Sequence, residues 1–347
     1  MSPLSIAHKY RWNHGVPRHE EVVLKVPHKV IHECLRCLSG QKDQVAELLE
    51  QTSAKLALPI TTGWVRSWKK TLLLGNGFVC LQTTSAKLTD EELRLLYCFL
   101  AKSIGNLNQR YGAFFDVKDY GLDHTKSAIP ISKTRACSGF HTDSSAKHYS
   151  PEVVGLMCLQ PASEGGDSLL ANAANLYAWL DKHHRDCLQA LSRPTKRDVI
   201  TPGTAQTADE ICRNEFPIIA FPNEQLHFRY MRYWITTAYQ KLQISLPAGL
   251  HAAMDYIDQY LANREYIFVR TLSRGEMLFL NNRYLCHSRT AFTDGPDPLP
   301  KRTFVRTWID SVSSLPNRPS RPRVPRAVSA PVTARQPRDF QESGSCR

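Results

Sequence analysis

The sequence has no uncharged apolar run approaching the ~18 residues that a membrane span needs. Membrane insertion is therefore not expected. The N-terminal stretch MSPLSIAHKYRWNHGVPRHEE lacks the apolar centre of a secretory leader, so a cytoplasmic location is expected. A second CxxC is also missing. Cys34 and Cys37 stand alone in HECLRCLSG, whereas a structural zinc site needs two more ligands at matching spacing. The pair reads as two small apolar side chains on a helix or turn. Without a leader, the ten cysteines read as free thiols in a reducing compartment. No internal repeat is present. No nucleic-acid motif accompanies the basic, aromatic run LHFRYMRYW, so nucleic acid is not the expected partner.

Large apolar residues nearly vanish after Ser311. That segment is rich in Pro, Arg and Ser, and it carries seven arginines against Asp339 and Glu342. It cannot bury enough surface to offset the entropy of ordering, so residues 313–347 are expected to form a basic, disordered tail. The body, residues 1–312, is expected to be a single domain with N-terminal helical elements. The net charge of +12 suits attraction of anionic small molecules.

The chain has 347 residues, 42% of them hydrophobic, enough for a sizeable core. Helices are predicted at Lys42–Ala54, at 88–105 behind a capping Thr89, at 174–192 and at 247–264. Strands are predicted in GNGFVCLQ (75–82), PEVVGLMCLQP (151–161), GGDSLLANA (165–173), EYIFVRTL, GEMLFLNN and RTFVRTWID (302–310). FPIIAF and LHFRYMRYWI flank PNEQ like the arms of a hairpin. Many strands with a few long helices indicate an α+β fold around an antiparallel sheet or barrel.

The chemistry begins at GFHTDSS. His141 and Asp143 are two apart, so on an extended segment they point to the same side. NNRYLCHSRTAF adds His287 at the end of an apolar strand. Two imidazoles and one carboxylate make the facial triad that leaves positions open on ferrous iron. HxD alone is a common tripeptide and is weak support. RTFVR strengthens it: Arg302 follows His287 by fifteen residues, and Arg306 shares its strand face. An acidic keto co-substrate chelating the metal needs such a guanidinium for its far carboxylate. The plainer alternative is two exposed arginines on an edge strand. In EGGDSLLAN, Ser168 follows a Gly-Gly turn and offers a hydroxyl to the same carboxylate, unless it is an ordinary turn serine.

The ordered set HTD, GGDS, HSRTAF and RTFVRTWID resembles the taurine dioxygenase and clavaminate synthase-like family over about residues 75–310. The resemblance implies a double-stranded β-helix (jelly roll) with helical insertions. It implies Fe(II) on His141, Asp143 and His287, with 2-oxoglutarate and O2 as co-substrates. It places 2-oxoglutarate on Ser168 and Arg302, and a substrate carboxylate on Arg306, the order within the arginine pair being open. Ser168 stands where the family commonly has Thr. Halogenating relatives lack the carboxylate ligand; Asp143 is present, which implies oxygenation. The expected activity is hydroxylation of a small carboxylate-bearing metabolite, an amino acid or a derivative of one. Alternatives are a larger natural product, a protein side chain, or a non-catalytic binding protein. Arg229 and Arg232 lie in a segment that often faces the active site in this family. Either they bind an anionic group or they snorkel from a half-exposed strand. His148 and Tyr149 follow the HTD loop, and the polar stretch Gly121–Ala136 is a candidate lid.

Overall fold

Strands whose residues are buried at nearly every position need cover on both faces. Val153–Gln160 and Met277–Asn281 are of this kind. A computed structural model shows how the cover is arranged. It describes residues 1–36, 58–83, 88–110, 112–122, 131–198, 207–296 and 298–310. The expected helix at Lys42–Ala54, the tail after 311 and half of the candidate lid (123–130) lie outside these residues. Met1–Ser313 forms one unit by its internal contacts.

The strands that build the core are β1 (Val23–Lys25), β2 (Phe78–Gln82), β3 (Asn106–Leu107), β4 (Phe115–Val117) and β5 (Val153–Gln160), followed by β6 (Ser168–Asn172), β7 (Ile267–Arg270), β8 (Met277–Asn281), β9 (Leu285–Arg289) and β10 (Thr303–Asp310). The main sheet has the order β1-β2-β8-β5-β10-β3, with β4 also on β10. All its pairings are antiparallel except β1 with β2. A smaller antiparallel sheet, β7-β6-β9, completes the jelly roll.

Side chains alternate across a strand. On the outer face Val79, Met157, Phe279, Val305 and Ile309 join a core with helices α1 (Pro59–Leu74) and α2 (Asp90–Ile104). On the inner face Phe78, Cys80, Leu278, Leu280 and Phe304 join residues of the smaller sheet and of the later helices. Gly155 shows how close the outer layer lies. A Cβ there would sit 2.5 Å from the Tyr97 hydroxyl and 2.9 Å from both Phe279 and Thr307.

Helix α2 begins as expected: Thr89 accepts from Glu92 N–H, and Glu92 answers on the Thr89 N–H. The expected helix over 174–192 is two, α3 (Ala173–His183) and a short one at Cys187–Ser192. His184 leaves helical geometry and stacks on Tyr256, with ring centroids 3.6 Å apart. LHFRYMRYWI also departs from expectation. Its strand is only His227–Phe228; from Arg232 it becomes helix α4 (Arg232–Lys241), followed by α5 (Ala248–Ala262). Ile235, Ala238 and Tyr239 are the buried stripe of α4, at helical spacing. No described helix is long and apolar enough to cross a membrane.

Candidate metal centre

His287 lies in the middle of β9, and His141 bridges to it from the neighbouring loop. Each donates its backbone N–H to the other's carbonyl, at 2.9 and 2.8 Å. This pairing puts the two imidazole centroids 4.4 Å apart. Asp143 Oδ1 lies 3.6 Å from His141 Nε2 and 3.7 Å from His287 Nε2. One ligand atom from each of the three residues lies within 4.8 Å of the others, so the group can hold a metal ion. Two nitrogens and one carboxylate oxygen are the donor set that suits ferrous iron.

Each donor is aimed by a neighbour. His141 Nδ1 is 3.0 Å from the Gly139 carbonyl, so Nδ1 carries the proton and Nε2 keeps its lone pair for a metal. Burial, reinforced by His141, holds the His287 imidazole down to about 3, which keeps it neutral and ready to ligate. Burial alone would raise the Asp143 carboxyl. Arg306 and the two imidazoles outweigh it and hold Asp143 far below the usual carboxylate range. Its Oδ2 accepts from the Trp308 indole at 2.6 Å and lies 3.5 Å from Arg306 Nη1. Its backbone is read in both directions by buried Asn282, which accepts from Asp143 N–H at 2.8 Å and donates to Asp143 O at 3.0 Å.

Arg302 is 1% exposed, yet its Nε and Nη1 have no partner among the described residues. Its guanidinium packs on Phe304 and Phe292, 3.9 and 4.8 Å from the ring centroids. Burial, with Arg289 nearby, pulls its pKa down to about 9, which leaves it charged at neutral pH. A buried cation with unsatisfied donors fits a missing carboxylate. Gly166 borders it: a Cβ there would lie 3.0 Å from Arg302 Nε. Ser168, two residues on, opens β6 opposite Arg289.

Arg306 is the more open of the pair. It sits between Phe115 and Trp308, 5.3 and 5.2 Å from the ring centroids, beside a small cleft lined also by Asn108 and Gly112.

The two other arginines are engaged elsewhere. Arg229 donates to the carbonyls of Ser144 and Lys147 and lies over the Phe216 ring at 3.8 Å. With fully buried Arg197, which donates to Ser145 O at 3.1 Å, it clamps the loop after Asp143. Ser144 in that loop adopts φ 57°, a backbone state that needs such support. Arg232 is ion-paired with Asp255 and Asp258, each at 2.6 Å. Its charge is matched by a clasp between α4 and α5. Tyr149 donates to Asp310, and His148 packs edge-on to Phe216. Arg289 donates to the carbonyls of Thr134 and Ala136, which fastens the end of the candidate lid to β9.

Trp308, Asn282, Arg197 and Arg289 carry no expectation in the sequence. Only Trp308 leaves a readable trace there: it lies two after Arg306 on a strand, hence on the same face.

The profile of the "Taurine catabolism dioxygenase TauD, TfdA family" matches residues 44–308. The chain belongs to this family. It is 25% identical over 202 residues to FR-33289 synthase of Streptomyces rubellomurinus (strain ATCC 31215), covering 56% of each chain. It is 28% identical over 154 residues to uridine-5'-phosphate dioxygenase of an Amycolatopsis species, covering 44% of this chain and 52% of that one. The chain thus spans about half the length of these curated relatives. Its fold is that of asparagine oxygenase solved with Fe(II), 2S,3S-3-hydroxyasparagine and succinate, at TM-score 0.59 and 14% identity over 85% of this chain and 94% of that one. It is also that of the non-heme iron oxygenase OrfP solved with Fe, succinate and (3S)-hydroxy-L-Arg, at TM-score 0.58 and 14% identity over 83% and 94%.

Proposed function

We propose that the chain is an Fe(II)- and 2-oxoglutarate-dependent oxygenase that hydroxylates an unactivated C–H bond of a small anionic metabolite. The observation that carries this is the combination of the His141–Asp143–His287 cluster and the unsatisfied donors of buried Arg302. When bound, Fe(II) and 2-oxoglutarate supply the oxidising power: O2 and 2-oxoglutarate are consumed, succinate and CO2 leave, and one oxygen atom enters the substrate.

The protein's own part is placement and exclusion of water. His141 and His287 present their Nε2 atoms and Asp143 its Oδ1. Arg302 anchors the far carboxylate of 2-oxoglutarate through charge-assisted hydrogen bonds, with Ser168 as a second donor. Phe292 and Phe304 keep that anchor dry, which strengthens it. Arg306, half-buried and lining its cleft, takes an anionic group of the substrate. Its rank as substrate arm and that of Arg302 as co-substrate anchor follow from their exposure. An amino acid or an amino-acid-derived intermediate is the substrate favoured by the asparagine and arginine products in the structural neighbours. A phosphate-bearing metabolite is the second reading, favoured by the uridine-5'-phosphate dioxygenase relative, and Arg306 suits it equally.

The test is anaerobic addition of 2-oxoglutarate to the Fe(II)-loaded protein. A weak visible charge-transfer band is expected, and it disappears in His141→Ala and His287→Ala. Absence of the band from the parent protein, or its persistence in both variants, ends this reading. Succinate release over a panel of amino acids and nucleotides then separates the two substrate classes.

A further inference from the structure

A carboxylate ligand has two oxygens, and a metal can take one or both. The difference matters here. A chelating 2-oxo acid and O2 together need three positions, which three protein ligands leave open only if each gives one atom. In this site the two oxygens of Asp143 face different surroundings. Oδ1 looks towards both imidazoles, 3.6 and 3.7 Å away. Oδ2 is turned to the Trp308 indole, which donates to it at 2.6 Å. Arg306 lies near the same oxygen, but at 3.5 Å, and it also lines the cleft. Asn282 holds both the N–H and the carbonyl of Asp143, which fixes the main chain from which the carboxylate projects; exchange of its oxygens is a side-chain rotation that the Trp308 hydrogen bond opposes.

We propose that Trp308 is a positioning residue of the metal centre: its indole N–H retains Oδ2 and so keeps Asp143 a one-oxygen ligand. This rests on the reading of His141, Asp143 and His287 as metal ligands. Trp308 also packs beside Arg306, so its ring and its N–H have separable roles. Trp308→Phe removes the N–H and keeps an aromatic ring. Trp68→Phe is the matched control. Trp68 is buried against Phe279 in the helical layer, and its indole N–H has no partner among the described residues.

The experiment titrates Co(II) into the full chain anaerobically, without 2-oxoglutarate, and records affinity and the visible d–d spectrum. Loss of an outer partner of a metal ligand weakens binding about 10–100-fold. Trp308→Phe is expected to bind Co(II) at least about tenfold more weakly, with a changed d–d spectrum as Oδ2 enters coordination. Trp68→Phe is expected to match the parent in both. Equal affinity and an unchanged spectrum in Trp308→Phe overturn the proposal. So does an equal change in Trp68→Phe, which would make the effect one of general packing. If the parent binds no Co(II), or His141→Ala binds it equally well, the ligand assignment itself has failed and the proposal falls with it. Should Trp308→Phe not fold, the parent still decides. The Trp308 indole N–H resonance, assigned through bonds, is expected to exchange slowly with D2O both before and after Zn(II) loading. Rapid exchange in either state overturns the proposal.

Discussion

On β10, Val305 and Ile309 point under the helices, while Arg306 and Trp308 point the other way, towards Asp143. The same alternation runs through β8 and β5. The outer face of the main sheet is hydrocarbon and aromatic, with Trp68 and Tyr97 each stacked on Phe279. The inner face holds Arg302, Arg306 and Asp143 among aromatic rings. One set of strands therefore supports two programmes, separated by the period of two. The outer face can be optimised for packing alone. The inner face keeps buried charge, part of it without a partner among the described residues, and it depends on the outer face for rigidity. Substitutions on the two faces should then dissociate stability from binding.

The largest effect is expected at Arg302. Arg302→Met removes a buried cation and keeps much of its hydrocarbon. Truncating one partner of a buried charge pair costs about 2–5 kcal/mol of binding. The affinity of the metal-loaded protein for 2-oxoglutarate should fall accordingly, as measured by the charge-transfer titration. Thermal melting of the metal-free protein should show little loss of stability, because two guanidinium nitrogens of this buried cation have no hydrogen-bond partner among the described residues. A lower Tm with unchanged 2-oxoglutarate affinity would make Arg302 a structural arginine and erase the contrast between the faces.

Gly155→Ala probes the other face. The added methyl meets Tyr97, Phe279 and Thr307 at 2.5–2.9 Å. Overpacking of this kind costs about 1–3 kcal/mol. Tm should drop, while Co(II) affinity measured well below the melt stays that of the parent. A loss of metal affinity without a loss of Tm would show that the faces are coupled more tightly than the alternation implies.

The division between legible and illegible features follows the same physics. The triad was readable because HxD on an extended segment and a distant strand histidine each have a fixed geometry. Arg306 and Trp308 share a face because two residues along β10 return to the same side; Arg302 precedes the strand. The cap at Thr89 is local chemistry, and it appears as expected. What failed to show in the sequence is set by tertiary partners. The break at His184 has neither Gly nor Pro to announce it and accompanies stacking on Tyr256. Asn282 looks like a turn residue until Asp143, 139 positions away, is seen against it. The aromatic and β-branched run around Trp234 favoured a strand, and the buried stripe Ile235, Ala238 and Tyr239 shows helical burial instead.

Arg232 offers the smallest effect and the sharpest check on that last point. It opens α4 and bridges to Asp255 and Asp258 on α5, and Asp258 also accepts from the Tyr230 hydroxyl. The pair carboxylates are substantially exposed, at 51% and 44% of their side-chain area. Solvent screens such pairs, and exposed ion pairs contribute about 0–1 kcal/mol. Arg232→Ala should therefore lower Tm only slightly, and the loss should shrink further in high salt. KM for whichever anionic substrate the panel identifies should stay unchanged, whereas Arg306→Ala should raise it. A rise in KM for Arg232→Ala at constant Tm would return this arginine to the substrate and would mean that the clasp opens during turnover. The geometry argues against that outcome, since both ends of the guanidinium are already matched by carboxylates on α5.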